Sequence, residues 1–108
     1  MLPSSGDRSR TPAYDLEEVQ RLVGQGAISR RITKAAVDGA VEVGLSEEGL
    51  VAAVLSLTPA HFYKSMEAEQ RPGLWQDVYH LPHGTMMLYL KLQIGHDGRA
   101  VVVQCKRR

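Results

Sequence analysis

The sequence predicts an α+β fold in one domain, with helices in its first half and an antiparallel sheet in its second. Two features carry that prediction. Apolar residues recur at helical spacing as far as Leu57, and the period switches to two after Lys64. An Asp97-Gly98 pair between two alternating segments then marks a hairpin. With 108 residues and 44% hydrophobic content, the chain suits a single core.

Residues 1–12 are rich in Ser, Pro, Gly and charge and lack periodicity, so they are expected to form a flexible arm before a domain spanning 13–108. Asp15 with Glu18 has the spacing of a capping box, and Leu16, Val19, Leu22 and Val23 follow at helical spacing until Gly24 and Gly26. Thr33 is placed to cap a second helix carrying Ala36, Val37, Ala40, Val41 and Val43 and closed by Gly44. The intervening Ala27–Ile32 suits a short strand. Ser46, with Glu47 and Glu48 in the first turn, opens a third helix whose stripe is Leu50, Val51, Val54, Leu55 and Leu57. Thr58-Pro59 then starts one more helical turn.

In the segment ending at Ile94, Leu88, Leu90, Leu92 and Ile94 point to one face and Met87, Tyr89, Lys91 and Gln93 to the other. A two-residue turn at Asp97-Gly98 sets Leu92 against Val103 and Ile94 against Val101 as core, and Tyr89 against Lys106 and Lys91 against Gln104 on the opposite face. A turn centred on His83-Gly84 adds Gln76 opposite Lys91 and His80 opposite Met87. Asp77 then falls on the core face opposite Leu90, a misfit that calls for a bulge or a buried capping role. One face thus gathers Gln76, His80, Tyr89, Lys91 and Lys106.

Charge is uneven along the chain. Up to Tyr63 there are 6 basic and 8 acidic residues; from Lys64 onward there are 7 and 4, ending in Lys106, Arg107 and Arg108. That half suits a polyanionic partner. The longest apolar runs, such as Leu50–Leu57, fall short of the roughly 20 residues that cross a bilayer, and residues 1–10 lack an apolar signal segment, so a cytoplasmic location is expected. A single cysteine, Cys105, provides neither an internal disulfide nor a thiolate zinc site. His61, His80, His83 and His96 show no metal-ligand spacing, and neither a phosphate-binding loop nor a nucleophile elbow occurs. No metal or cofactor is expected. Trp75 and Phe62 read as core residues.

A face of lysines and a tyrosine suits cleavage of RNA by its own 2′-hydroxyl, which needs a base, an acid for the leaving 5′-oxygen and cations around the phosphorane. The same pattern describes a solvated outer face, where Lys, Gln and Tyr are routine. Residue pattern alone leaves both readings open.

The stretch His61-Phe-Tyr-Lys-Ser-Met66, followed by Trp75-Gln-Asp-Val-Tyr79, Leu88-Tyr-Leu-Lys91, His96-Asp97 and a last strand with Lys106, resembles the MqsR toxins over about Arg10–Arg108. That family is similar to RelE-type toxins: a compact domain whose N-terminal helices pack on one face of an antiparallel sheet. The resemblance implies a growth-arresting endoribonuclease that cuts messenger RNA at short GC-centred sequences without metal or ribosome. By motif position its functional residues fall on Lys64, Gln76, Tyr89 and Lys106, with Met66, His80, Lys91, His96 and Arg107 as expected RNA contacts. It also implies an antitoxin with a zinc-binding part and a helix-turn-helix part, and no DNA reading by the toxin alone. His80 stands where members can carry arginine, making phosphate binding there pH-dependent. The alternative function is a catalytically weak module that binds RNA or the antitoxin.

Overall fold

A computed structural model of the protein describes residues 8–108. The elements run β1 (Arg8–Ser9), α1 (Leu16–Gly24), β2 (Arg30–Ile32), α2 (Lys34–Glu42), α3 (Glu47–Leu55), a 3-10 turn (Pro59–His61), β3 (Phe62–Ala68), β4 (Arg71–His83), β5 (Met86–Ile94) and β6 (Ala100–Arg107). The strands form one sheet in the order β1-β3-β4-β5-β6-β2. This is the expected α+β arrangement, with one correction: the sheet is mixed, because β2 runs parallel to β6. Of the arm expected over residues 1–12, residues 1–7 lie outside the described residues, and Arg8–Ser9 pair antiparallel with β3.

Each helix spans nine residues, too short to persist in water on its own, so packing against the sheet must hold it. Val19, Leu22 and Val23 of α1, Ala36 and Ala40 of α2 and Leu50, Ala53 and Val54 of α3 meet Tyr79, Leu81, Leu88, Leu90, Leu92, Ala100, Val102 and Cys105 from the sheet. Thr33 and Ser46 cap α2 and α3 as expected, accepting the N–H groups of Ala36 and Gly49 at 3.0 Å each. The capping box of α1 does not form: the Asp15 side chain makes no cap hydrogen bond, and Glu18 pairs with Arg21 instead. Gln20 caps the C-terminal end of α3, its amide donating to the carbonyls of Val54 and Leu55 in the last turn and of Leu57 just beyond it.

The buried stripe of α2 differs from the expected one. Val37 and Val41 face solvent, and the small residues Ala36, Gly39 and Ala40 face the sheet. The cause is close approach. A Cβ built on Gly39 would lie 1.8 Å from the carbonyl oxygen of Cys105, so only glycine lets α2 seat on β6. Gly39→Ala should therefore destabilise the fold by about 1–3 kcal/mol through overpacking, despite a helix-propensity gain of up to about 1 kcal/mol. Denaturant unfolding checks it; a midpoint equal to or above that of the parent would show that α2 can shift.

Asp77 is the core misfit expected from the alternation, and it does have a buried capping role. It is 2% exposed, and its carboxylate accepts the N–H groups of Ala13 at 2.9 Å and Tyr14 at 3.0 Å. Tyr14 in turn donates its hydroxyl to the Trp75 carbonyl at 2.7 Å. These bonds fasten the chain ahead of α1 to β4.

Two registers differ from expectation. β4 pairs with β5 two residues further on, His80 opposite Tyr89 and Asp77 opposite Leu92, around a turn at Gly84-Thr85. Because the shift is even, every side chain keeps its expected face. β5 and β6 pair as expected from Leu88 to Lys91, then slip at a bulge so that Leu92 faces Val102 and Ile94 faces Ala100. The expected two-residue turn at Asp97-Gly98 is a longer loop, Gly95 to Arg99. It is closed by Gly95 N–H to Arg99 O at 2.9 Å and Gly98 N–H to Gly95 O at 3.0 Å, with Gly98 at φ +82°.

Candidate ribonucleolytic face

The helices cover one side of the sheet, and the pairing places the candidate residues on the other in three successive rows. Tyr89 is opposite both His80 and Lys106. Val78 is opposite both Lys64 and Lys91, and Lys91 faces Gln104. Gln76 is opposite Met66 and donates its side-chain amide to the Gln93 oxygen at 2.8 Å, while Gln93 faces Val101, which faces Arg31 of β2. Directly paired residues point to the same side of a sheet, so Lys64, Met66, Gln76, His80, Tyr89, Lys91 and Lys106 share one surface. His96 and Arg107 do not join them. His96 is exposed in the Gly95–Arg99 loop, beyond the far end of β5 from the Tyr89 row, and Arg107 is opposite Leu88, on the parity of the core face.

Sequence reasoning missed Tyr63. Strict alternation from Lys64 would turn it to the helical side, but β3 carries a bulge between Phe62 and Lys64. The bulge lets neighbouring residues point the same way. Phe62 packs edge-on against Tyr79 at the core, whereas the Tyr63 ring stacks on His80 with centroids 4.2 Å apart and planes at 22°. At 47% exposure, Tyr63 offers a ring face to solvent beside Lys64. Gln93 was missed as a partner of Gln76 because the expected register set Gln76 against Lys91.

The electrostatics of the cluster follow from burial and like charge. The Lys106 ammonium lies 4.7 Å from the Tyr89 ring centroid and that of Lys91 5.9 Å. Burial holds the Tyr89 hydroxyl above the usual tyrosine range, with Tyr63 adding to the effect, so it is protonated at neutral pH. Burial also depresses the Lys91 ammonium, and the charges of Lys106 and Lys64 depress it further against a smaller opposing pull from Glu69. His80 is pushed below the ordinary histidine value of 6.5 by burial first and then by Arg108 and Lys64, leaving a neutral imidazole at pH 7. The face thus holds a protonated phenol, a neutral imidazole and a group of ammonium ions. Among the described residues no three His, Cys, Asp or Glu side chains converge as a metal-ligand group.

A model of the family described as "Motility quorum-sensing regulator, toxin of MqsA" matches residues 11–107, nearly the whole chain. The chain belongs to the MqsR toxin family. The mRNA interferase toxin MqsR of Escherichia coli (strain K12) is 38% identical over 88 residues, covering 82% of this chain and 88% of that protein. The MqsR match runs from α1 through β6 and leaves out β1. Among the described residues no helix is long and apolar enough to cross a membrane.

Proposed function

We propose that this chain is the toxin of a type II toxin-antitoxin pair and an endoribonuclease that cuts messenger RNA on the helix-free face of its sheet. The observation that carries the reading is the convergence of Lys64, Lys91 and Lys106 around the Tyr89–His80 row. Membership of a family whose E. coli relative is named an mRNA interferase supports it.

The reaction needs no group beyond the chain's own side chains. His80, neutral at pH 7, accepts the proton of the 2′-hydroxyl as its oxygen attacks phosphorus. The P–O5′ bond breaks, Tyr89 donates its proton to the leaving oxygen, and the products are a 2′,3′-cyclic phosphate and a free 5′-hydroxyl. Lys64 and Lys106, with Lys91, stabilise the charge that grows on the phosphorane oxygens, and Gln76 orients the RNA beside the cut. Tyr63, stacked on His80, supplies a ring for an unpaired base. Preference for a GC-centred sequence and independence of the ribosome are parts of the same proposal, as is inhibition by an antitoxin with zinc-binding and helix-turn-helix parts. A cytoplasmic location fits an mRNA substrate.

The test is incubation of the purified chain with a defined RNA in EDTA, without ribosomes, and mapping of the ends. Site-specific cuts with cyclic phosphates, lost in Lys64→Ala, are the expected result. Failure to cut with or without ribosomes, while antitoxin binding persists, would leave the catalytically weak binding module in its place.

The base assignment adds a pH prediction. His80 must be deprotonated to act, and its pKa is lowered. The midpoint of the acid limb should therefore lie below pH 6.5, and the limb should be lost in His80→Ala. An unchanged acid limb in the variant would return the base role to another group.

A further inference from the structure

Beyond the rows of lysine and tyrosine, the same face deepens into a groove of about 290 Å3 whose lining includes Arg31, Arg71 at the β3–β4 hairpin, Gln76, Gln93, Val101 and Val103. That is near the lower end of ligand-sized pockets, about 300 Å3. Its floor has an unusual composition. Gln76 and Gln93 are 9% and 8% exposed and joined by one hydrogen bond, which uses the amide nitrogen of Gln76 and the oxygen of Gln93. The remaining oxygen of Gln76 and nitrogen of Gln93 accept and donate nothing within the described residues, yet neither is a fully buried orphan. One acceptor and one donor of the amide pair are therefore left with some exposure at the groove.

The surroundings suit a nucleobase. Val101 and Val103 supply apolar lining, turned to this side by the bulge opposite Lys91 and Leu92. Arg31 and Arg71 are exposed at its rim and form no ion pair among the described residues; Glu67 of the same hairpin is occupied with the Gly73 N–H at 2.7 Å. Four residues along β5 separate Gln93 from Tyr89, roughly 13 Å at about 3.3 Å per residue, so the groove lies apart from the attacked phosphate.

We infer that this groove is the base-reading subsite of the RNA face: the Gln76–Gln93 amide pair recognises the edge of a base neighbouring the cut, while Arg31 and Arg71 hold the flanking phosphates. The inference rests on the proposed RNA cleavage and names how that face selects its sequence. Paired amides suit this task because they present fixed donors and acceptors, and each amide holds the other in orientation.

The test uses the full chain and short RNAs differing by one base at each position around the cut. Gln93→Leu should reduce discrimination at one flanking position roughly 5- to 100-fold, leaving preference elsewhere intact. Arg31→Ala and Arg71→Ala should raise KM with kcat retained, and each should reduce the salt slope of binding by about 0.7. Unaltered base preference in Gln93→Leu, together with unaltered KM and salt slope in both arginine variants, would overturn the subsite while leaving RNA cleavage standing. If the parent protein cuts nothing, the cleavage reading fails separately, and anisotropy with the same RNAs carrying 2′-deoxy sugars then decides the groove. Loss of affinity in the arginine variants supports it, and parental affinity in both overturns it. Both arginines are exposed, so these variants stay readable even if Gln93→Leu does not fold.

Discussion

Tyr89→Phe is expected to slow RNA cleavage by about 10²- to 10⁴-fold, the usual loss when a positioned acid is removed. The substitution is narrow. The ring remains under the Lys106 ammonium at 4.7 Å and beside His80 at 6.1 Å, and only the hydroxyl is lost. No protein group hydrogen-bonds that hydroxyl among the described residues, so the unfolding midpoint should stay near that of the parent. Lys106→Ala should cost a further, separable amount, about 10²- to 10³-fold, by removing a cation from the phosphorane. Single-turnover rates on one defined RNA measure both, and relief of growth arrest with antitoxin binding preserved is the cellular counterpart. A Tyr89→Phe protein that cuts at the parental rate would remove Tyr89 from proton transfer and leave it as a ring that positions Lys106.

Asp77→Ala is expected to lower stability by about 3–6 kcal/mol, since hydrogen bonds to a charged acceptor contribute roughly 1.5–3 kcal/mol each and two are lost. The carboxylate fixes the N–H groups of Ala13 and Tyr14, so its removal frees the segment that leads into α1 and leaves two partly buried donors to find water. Its charge also helps hold the buried Tyr79 hydroxyl at about 12, second to burial itself. Hydrogen exchange should show the loss first at Ala13, Tyr14 and the first turn of α1, with β5 and β6 protected longer. Uniform loss across the sheet would instead mean that Asp77 supports the core as a whole. Cleavage should survive in whatever fraction remains folded, because Asp77 faces the helices and not the RNA face.

Much of the face was legible before the fold. Alternation and two expected turns put Gln76, His80, Tyr89, Lys91 and Lys106 on one side, and an even error in the β4–β5 register did not disturb that, because side-chain direction repeats every two residues. Lys64 required the family resemblance, since no turn tied β3 to its neighbour closely enough to set a register. The expected helix faces failed where backbone, not hydrophobicity, governed packing: α2 turns its valines outward because Gly39 must touch Cys105.

The sequence by itself determined the types and order of the elements from α1 to β6, the caps at Thr33 and Ser46 and the parity of β4 and β5. Those signals are local, carried by residues within one or two turns of each other. Tertiary structure alone decided the bulges, the parallel edge strand and the groove. The two-residue turn expected at Asp97-Gly98 put Val101 and Val103 in the core; the slip against Leu92 instead buries Val102 there and turns Val101 and Val103 to the helix-free face. The bulge at Tyr63 likewise reverses a side chain that pattern assigns to the helices. A one-residue slip inverts a face, and whether it occurs depends on packing against distant strands, a free-energy difference that no short stretch of sequence contains.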